Sequence, residues 1–385
     1  MDPLTVAARA AVPPFYVMDV LEAANARQRA RGDVISLAAG QPSASAAAPV
    51  LEAAQKALHG NKLGYTEQLG IPELREAIAG HYERMYSLEV APQDVVVTTG
   101  SSGGFLLSFL AAFDAGDRVA LARPGYPAYR NILAALGCEI VELPCDATTR
   151  FQPTVEMLEA AGPLKGVVVA SPANPTGTVL AAPELAAISG WCVENGVQLI
   201  SDEIYHGIDY SGQTACSWQF GRESVVVNSF SKYFAMTGWR LGWLLVPQRL
   251  HRAVECLIGN FNICAPAIAQ HAAVANFTEE AYKELDQHVD SYRTNRDLLL
   301  TGLPELGITE LAPADGAFYI YADVRHLTHD TMSWCQRLLA ETGLALVPGI
   351  DFDPVDGRKF IRLSFAGSRA EIEEGLHRLG GWLPA

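Results

Sequence analysis

At 385 residues with 49% apolar side chains, the chain is long enough for one large domain and a smaller satellite, with a substantial buried core. A formal charge of -15 argues against a nucleic-acid groove or an anionic membrane surface as partner, because both require clustered Lys and Arg to replace counterions. Seven cysteines (Cys138, Cys145, Cys192, Cys216, Cys256, Cys264 and Cys335) are scattered with no C-x-x-C pair, and read as reduced core thiols rather than a disulfide framework or a zinc knuckle.

The opening Met1-Asp2-Pro3-Leu4-Thr5 has no basic stretch before an apolar run, and no segment approaches the length of a membrane span. Cytoplasmic residence is the expectation. The segment to about Ala39 holds a helix around Phe15–Arg29 and no sheet of its own, and is expected to pack with the C-terminal part. From about residue 94 to 246, short β-branched runs alternate with helical stretches, the pattern of a mostly parallel sheet covered on both faces. Strands are expected at Asp94–Thr98, Arg118–Ala122, Glu139–Leu143, Gly166–Ala170, Val197–Ser201, Ser224–Asn228 and Leu241–Val246. The Gly and aromatic content of Ser229–Arg240 does not suggest the crossover helix that a parallel neighbour needs, so one strand should run antiparallel.

Gln248–Phe277 and Glu279–Leu303 read as long helices. Beyond them, strands at Gly316–Val324, Leu344–Val347 and Phe360–Phe365 and helices at Thr331–Thr342 and Arg369–Leu379 suggest a smaller α+β unit. The expected fold class is α/β: a mostly parallel seven-stranded sheet with one antiparallel strand, helices on both faces, and a smaller α+β domain. Residues 41–280 would form the large domain, and 1–40 with 281–385 the small one.

Four polar clusters follow four of these strands: Ser101-Ser102-Gly103-Gly104, Ser171–Gly177, Asp202–Tyr205 and Ser229–Lys232. Ligands of open α/β sheets bind at the carboxyl ends of strands, so the clusters should converge on one crevice. The first puts two hydroxyls and two glycines at a strand-to-helix turn, suited to a phosphate or simply to a tightly packed N-cap. Ser229 and Ser231 add hydroxyl donors, and Arg240 can add a bidentate guanidinium. Asp202 ends a very apolar strand, where a carboxylate could keep a pyridine nitrogen protonated. Its less favoured alternative is an exposed turn carboxylate or a helix cap.

Ser171-Pro172-Ala173-Asn174-Pro175-Thr176-Gly177, Ser201-Asp202-Glu203-Ile204-Tyr205, and Ser229-Phe230-Ser231-Lys232 through Met236-Thr237-Gly238-Trp239-Arg240-Leu241-Gly242 together resemble the class I/II aminotransferases of pyridoxal 5′-phosphate (PLP) fold type I. Gly40-Gln41-Pro42, Gly64-Tyr65-Thr66, Pro124-Gly125-Tyr126, Val347-Pro348-Gly349 and Arg362-Leu363-Ser364-Phe365 extend the likeness over nearly the whole chain, in family order. The resemblance implies PLP as cofactor, with Lys232 its imine-forming lysine and the base that moves the substrate's α-proton. It implies Asp202 at the pyridine nitrogen, Tyr205 and Asn174 as donors to the phenolic oxygen, and Tyr126 stacked on the ring. Ser101, Ser102, Gly103, Ser229, Ser231 and Arg240 match the phosphate site. Arg362 matches the clamp on the substrate α-carboxylate, supported by Asn174, with Gly40 leaving room. The implied reaction passes an amino group from an amino acid to a 2-oxo acid by ping-pong kinetics. The family also implies a homodimer with shared sites, in which Tyr65 reaches the phosphate bound by the other subunit.

The same scaffold hosts PLP lyases, and Arg362 argues against decarboxylation but not elimination. A non-catalytic PLP-binding regulator would need a DNA-binding module, for which the chain before Gly40 is too short and the charge wrong. His206, Trp239 and Trp243 read as structural, and Asp351 and Asp353 as parts of an Asp/Gly/Pro turn; no His or Cys set suggests a metal. Some relatives carry a lysine two residues after the position of Gly100. Ser102 stands there, which points weakly to neutral or aromatic substrates unless a partner-subunit arginine, or an N-terminal one such as Arg9, intervenes.

Overall fold

The computed structural model describes residues 5–60 and 63–384. Met1–Leu4, which open both the stretch read as lacking a leader and the expected 1–40 segment, lie outside them. Helix α1 (Tyr16–Arg31) closes on Gly32, whose left-handed backbone lets its N–H donate to Gln28 O. The two-residue strand β1 (Ile35–Ser36) and helices α2 (Ala48–Gly60) and α3 (Pro72–Tyr86) come next.

The main sheet is built from β2 (Val95–Thr98), β3 (Arg118–Arg123), β4 (Glu139–Pro144), β5 (Gly166–Ala170), β6 (Gln198–Asp202), β7 (Val225–Ser229) and β8 (Gly242–Leu245). Its order is β2-β8-β7-β6-β5-β3-β4, with β8 antiparallel to both neighbours and the remaining pairs parallel. Every strand end lies within one residue of its expected place. Helix α4 (Gly100–Ala112) leaves β2, α5 (Pro127–Leu136) joins β3 to β4, and α6 (Val155–Ala160) and α7 (Ala182–Glu194) precede β5 and β6.

The strands read as continuous apolar runs because both faces are covered. Alternate residues feed different cores. Val96, Val227 and Leu244 pack with Phe105 and Phe109 of α4, while Val95, Val97, Val226 and Trp243 pack with Leu74 and Ile78 of α3.

After β8 the expected single helix divides into α8 (Gln248–Phe261) and α9 (Ala267–Ala273). Ile263 takes a positive φ of 65°, and Pro266, which lacks an N–H, stands at the start of α9. Helix α10 (Glu279–Glu305) follows, started by Thr278, whose hydroxyl accepts from Ala281 N. The C-terminal part holds β9 (Tyr319–Asp323), α11 (Thr331–Thr342), β10 (Leu344–Ala345), β11 (Val347–Pro348), β12 (Phe360–Ser364) and α12 (Arg369–Trp382).

Further expectations are corrected. Leu344–Val347 is not one strand: β10 pairs parallel with β1, whereas β11 joins the antiparallel sheet β11-β12-β9. The N-terminal segment therefore contributes a strand of its own, and that strand ties it to the C-terminal part. The thiols also differ from expectation, since Cys256 is exposed and Cys264 half-buried.

The first turn of α4 lies directly against β8. A Cβ on Gly242 would sit 2.8 Å from Asn228 O and 2.9 Å from Ser101 N, both backbone atoms. Gly242→Ala should therefore lower stability by about 1–3 kcal/mol through overpacking, read as an earlier urea midpoint. An unchanged midpoint would contradict this close approach.

Candidate active site

The strand ends surround a cavity of about 780 Å³, into which Ser101, Ser102, Tyr126, Asn174, Asp202, Tyr205, Ser231, Lys232, Arg240, Gly40 and Arg362 all reach. The convergence expected from strand-end positions is observed.

Lys232 follows β7 and donates from Nζ to Gly40 O at 2.5 Å. Its pKa is lowered to about 8, first by burial, then by repulsion from Arg362, with attraction to Asp202 working the other way. Asp202 ends β6 and is 3% exposed, which settles its alternatives against a turn carboxylate in water. Burial raises its pKa to about 7, although Oδ2 accepts from Tyr129 OH and Oδ1 from Ile204 N at 3.1 Å.

An anion pocket forms at the start of α4. Thr99 stands at the N-cap but its side chain makes no capping hydrogen bond, and Gly100 has a φ of 71°. The Arg240 guanidinium covers Gly100 so closely that a Cβ there would lie 2.6 Å from Nη2, while Arg240 Nη1 donates to Thr237 O at 3.0 Å. Ser101, Ser102 and Ser231 line the cavity here. Ser229 and Gly103 do not; the Ser229 hydroxyl is buried behind, accepting from Ser231 N at 3.0 Å. Uncapped helix N–H groups, hydroxyls and a guanidinium in one corner suit a phosphate dianion.

Arg362, on β12, is 2% exposed. Nη1 donates to Asn174 Oδ1 and Nη2 to Ala38 O, both at 2.9 Å, and the guanidinium carbon lies 4.3 Å from the Tyr319 ring centre and 4.8 Å from that of Phe352. Its Nε is buried and has no hydrogen-bond partner among the described residues. The donor set fits a planar anion such as a carboxylate.

Sequence reasoning missed three contributors. Tyr129 stands three residues after Tyr126 at the start of α5, and this i, i+3 spacing was the available signal. Tyr319 shares a 2.8 Å hydrogen bond with Tyr205 through their hydroxyls. Helix α1 lays Val17, Met18 and Leu21, with Phe15 ahead of them, along one wall.

Tyr65 is 82% exposed and lines a separate surface cleft with Leu63 and Cys264, and Arg9 does not line the cavity. His206 sits in a buried turn, its Nδ1 2.6 Å from Tyr86 OH. Trp243 is buried in β8 and Trp239 packs on the same core. Asp351 and Asp353 are buried. Among the described residues no group of three or more His, Cys, Asp or Glu could hold a metal ion.

The family described as Aminotransferase class I and II matches residues 32–379. A valine–pyruvate aminotransferase of Mycobacterium tuberculosis is 63% identical over 383 residues, covering 99% of each chain. The crystal structure of an aminotransferase from the same organism superposes with a TM-score of 0.98 at 62% identity, covering 99% of this chain and 100% of that one. An aspartate aminotransferase from Thermus thermophilus with maleate gives 0.93 at 33% identity, covering 98% and 100%.

The raised pKa of Asp202 has a direct consequence for stability. Its folded value is about 7 against an ordinary 3.8, so between these pH values the folded chain keeps a proton that the unfolded chain has lost. The stability linked to this proton is complete below the lower value and is lost as pH rises through the upper one, by about 1.4 kcal/mol per pH unit. Cofactor-free Asp202→Asn should therefore gain on cofactor-free wild type steadily across that window in urea titrations. A pH-independent difference would show that Asp202 does not titrate there.

Proposed function

The chain belongs to the class I and II aminotransferases, whose members depend on PLP, and we propose that its donor is a small branched apolar amino acid of the valine kind and its acceptor a short 2-oxo acid such as pyruvate. As a PLP-dependent aminotransferase it passes the amino group of an amino acid to a 2-oxo acid by a ping-pong mechanism, so both half-reactions use the same cavity. The donor assignment is carried by the asymmetry of that cavity. Arg362 offers a guanidinium to an α-carboxylate, α1 offers Phe15, Val17, Met18 and Leu21, and the only other cations among the described lining residues are Lys232 and Arg240. Among this chain's described lining residues a side-chain carboxylate would find no cation of its own, at the desolvation cost of an unpaired charge. The name of the Mycobacterium tuberculosis relative supports the same substrate pair.

When bound, PLP supplies a ring that accepts the electron pair left at the amino acid's α-carbon. In this reading its phosphate is held by Ser101, Ser102, Ser231 and Arg240, with Gly103 and Ser229 behind them and the Ser229 hydroxyl supporting Ser231 N, its ring covered by Tyr126, its phenolic oxygen met by Tyr205 and Asn174, and its nitrogen proton by Asp202. Lys232 is the lysine that carries the cofactor. With its pKa lowered to about 8, the amine is neutral in a useful fraction at mildly alkaline pH, able to take the α-proton and return it. Gly40 O orients this amine, and Arg362 with Asn174 orients the substrate carboxylate.

The assembly in this reading is a cytoplasmic homodimer, each chain divided into a large domain at 41–280 and a small domain made of 1–40 and 281–385. Support for pairing comes from Tyr65, Leu63, Phe261 and Ile263, all apolar or aromatic and all exposed, with Tyr65 outside its own cavity. No helix among the described residues is long and apolar enough to cross a membrane.

A half-reaction screen tests the donor, following loss of the cofactor's absorbance on mixing with single amino acids. Valine and alanine should react faster than aspartate, and a preference for aspartate would overturn the assignment. The shared site is tested by mixing. Lys232→Ala and Tyr65→Ala chains, each severely impaired as homodimers, should regain activity approaching one working site per hybrid dimer. Hybrids that form without regaining activity would place Tyr65 in its own subunit's service.

A further inference from the structure

The turn after β11 holds a carboxylate whose position neither the phosphate corner nor the carboxylate clamp explains. Asp351 is 2% exposed, and its carboxylate faces the first turn of α1, more than 330 residues away in sequence. Oδ2 accepts from Val17 N at 2.9 Å and Oδ1 from Tyr16 N at 3.3 Å. These are the first two N–H groups of α1, and the residue ahead of them, Phe15, has no side chain able to cap. A buried carboxylate is favourable there because two unpaired N–H groups and the positive end of the helix dipole meet it. Burial still raises its pKa, while the two backbone donors and the charges of Arg362 and Arg130 oppose that rise.

The same turn touches two other walls of the cavity. The Phe352 ring lies 4.8 Å from the Arg362 guanidinium, and Phe352 O accepts from Gly125 N at 3.1 Å, next to Tyr126. Phe15 meets the Tyr126 ring edge-on at 5.9 Å. The apolar wall of α1 is thereby referenced to the residues that clamp the carboxylate and cover the ring.

We propose that Asp351 is a positioning residue for donor selectivity: by pinning the first turn of α1 it fixes the distance between the apolar wall and the carboxylate clamp, and so the size of side chain the cavity accepts. The proposal rests on the reading that α1 meets the donor's side chain. A carboxylate that served only to fold its own turn would affect all donors alike.

The test compares wild-type, Asp351→Ala and Asp351→Asn holoenzymes with valine and with alanine, whose methyl group makes least use of the wall. Loss of the cap should raise the KM for valine roughly fivefold, the effect of about one lost helix cap, with kcat and the cofactor's absorbance nearly unchanged. The KM for alanine should move less than about twofold on the same scale. Asn keeps one acceptor oxygen and should recover most of the loss. Leu21→Ala, which leaves Asp351 intact, should reproduce the valine-selective change. Amide hydrogen exchange should show Tyr16 and Val17 losing protection in Asp351→Ala while α4 keeps its own. Equal losses for both donors, an Asn variant as impaired as Ala, or an unchanged valine-to-alanine ratio in Leu21→Ala would each overturn the proposal. If wild type prefers aspartate to valine, the donor reading fails by itself. Exchange at Tyr16 and Val17 then decides whether Asp351 positions α1: lost protection supports it, and unchanged protection overturns it.

Discussion

A guanidinium kept almost wholly from water must be surrounded by acceptors and flat apolar faces, or its burial costs several kcal/mol. Apart from its unpartnered Nε, Arg362 meets this demand with groups drawn from distant parts of the chain: Ala38 O just after β1, Asn174 Oδ1 just after β5, and the rings of Tyr319 in β9 and Phe352 after β11. Satisfying one side chain thus draws the N-terminal segment, the main sheet and the C-terminal sheet to a common point. The two-stranded pairing of β1 with β10 belongs to the same requirement, since it carries the chain to Ala38. The cavity is the space left where these parts meet.

Burial acts on Asp202 and Lys232 in opposite directions on the pH scale and with one chemical result. Asp202 is raised to about 7 and Lys232 lowered to about 8, so both are brought near neutrality, where small changes in surroundings alter their protonation. Arg362 and Arg240 both press on Lys232, which favours its neutral amine. Tyr129 and the Ile204 N–H favour the ionised form of Asp202 without overcoming its desolvation. A cationic group beside Asp202 would complete this balance.

The main sheet was legible because strands covered on both faces spell unbroken apolar runs, such as Val95-Val96-Val97 and Val225-Val226-Val227. Two-residue strands carry no such signal, which is why β1 stayed hidden and why β10 and β11 merged into one. The candidate site was legible for a different reason: polar clusters past strand ends point to the crevice where open α/β sheets bind ligands, and the motifs' resemblance to the aminotransferases implied each residue's role. Tyr129 and Tyr319 escaped because a tyrosine on a helix or a buried strand looks like core until its hydroxyl is seen to have a partner. Asp351 escaped because its partners are backbone N–H groups over 330 residues away, and no local pattern encodes them.

Gly40 shows how closely these requirements interlock. A side chain there would place its Cβ 2.7 Å from Tyr319 OH, so the missing side chain leaves room first for that hydroxyl, with Arg362 Nη2 at 3.7 Å beyond it. Tyr319 can then reach Tyr205, which turns the Tyr205 hydroxyl toward a protein partner, while the ring of Tyr319 stays against the guanidinium. The Gly40 carbonyl meanwhile holds Lys232 Nζ. Adding a methyl at this one position would displace Tyr319, and through it the ring that backs Arg362 and the hydroxyl paired with Tyr205. The glycine is therefore a constraint on three site residues at once, imposed by backbone proximity rather than by any chemistry of its own.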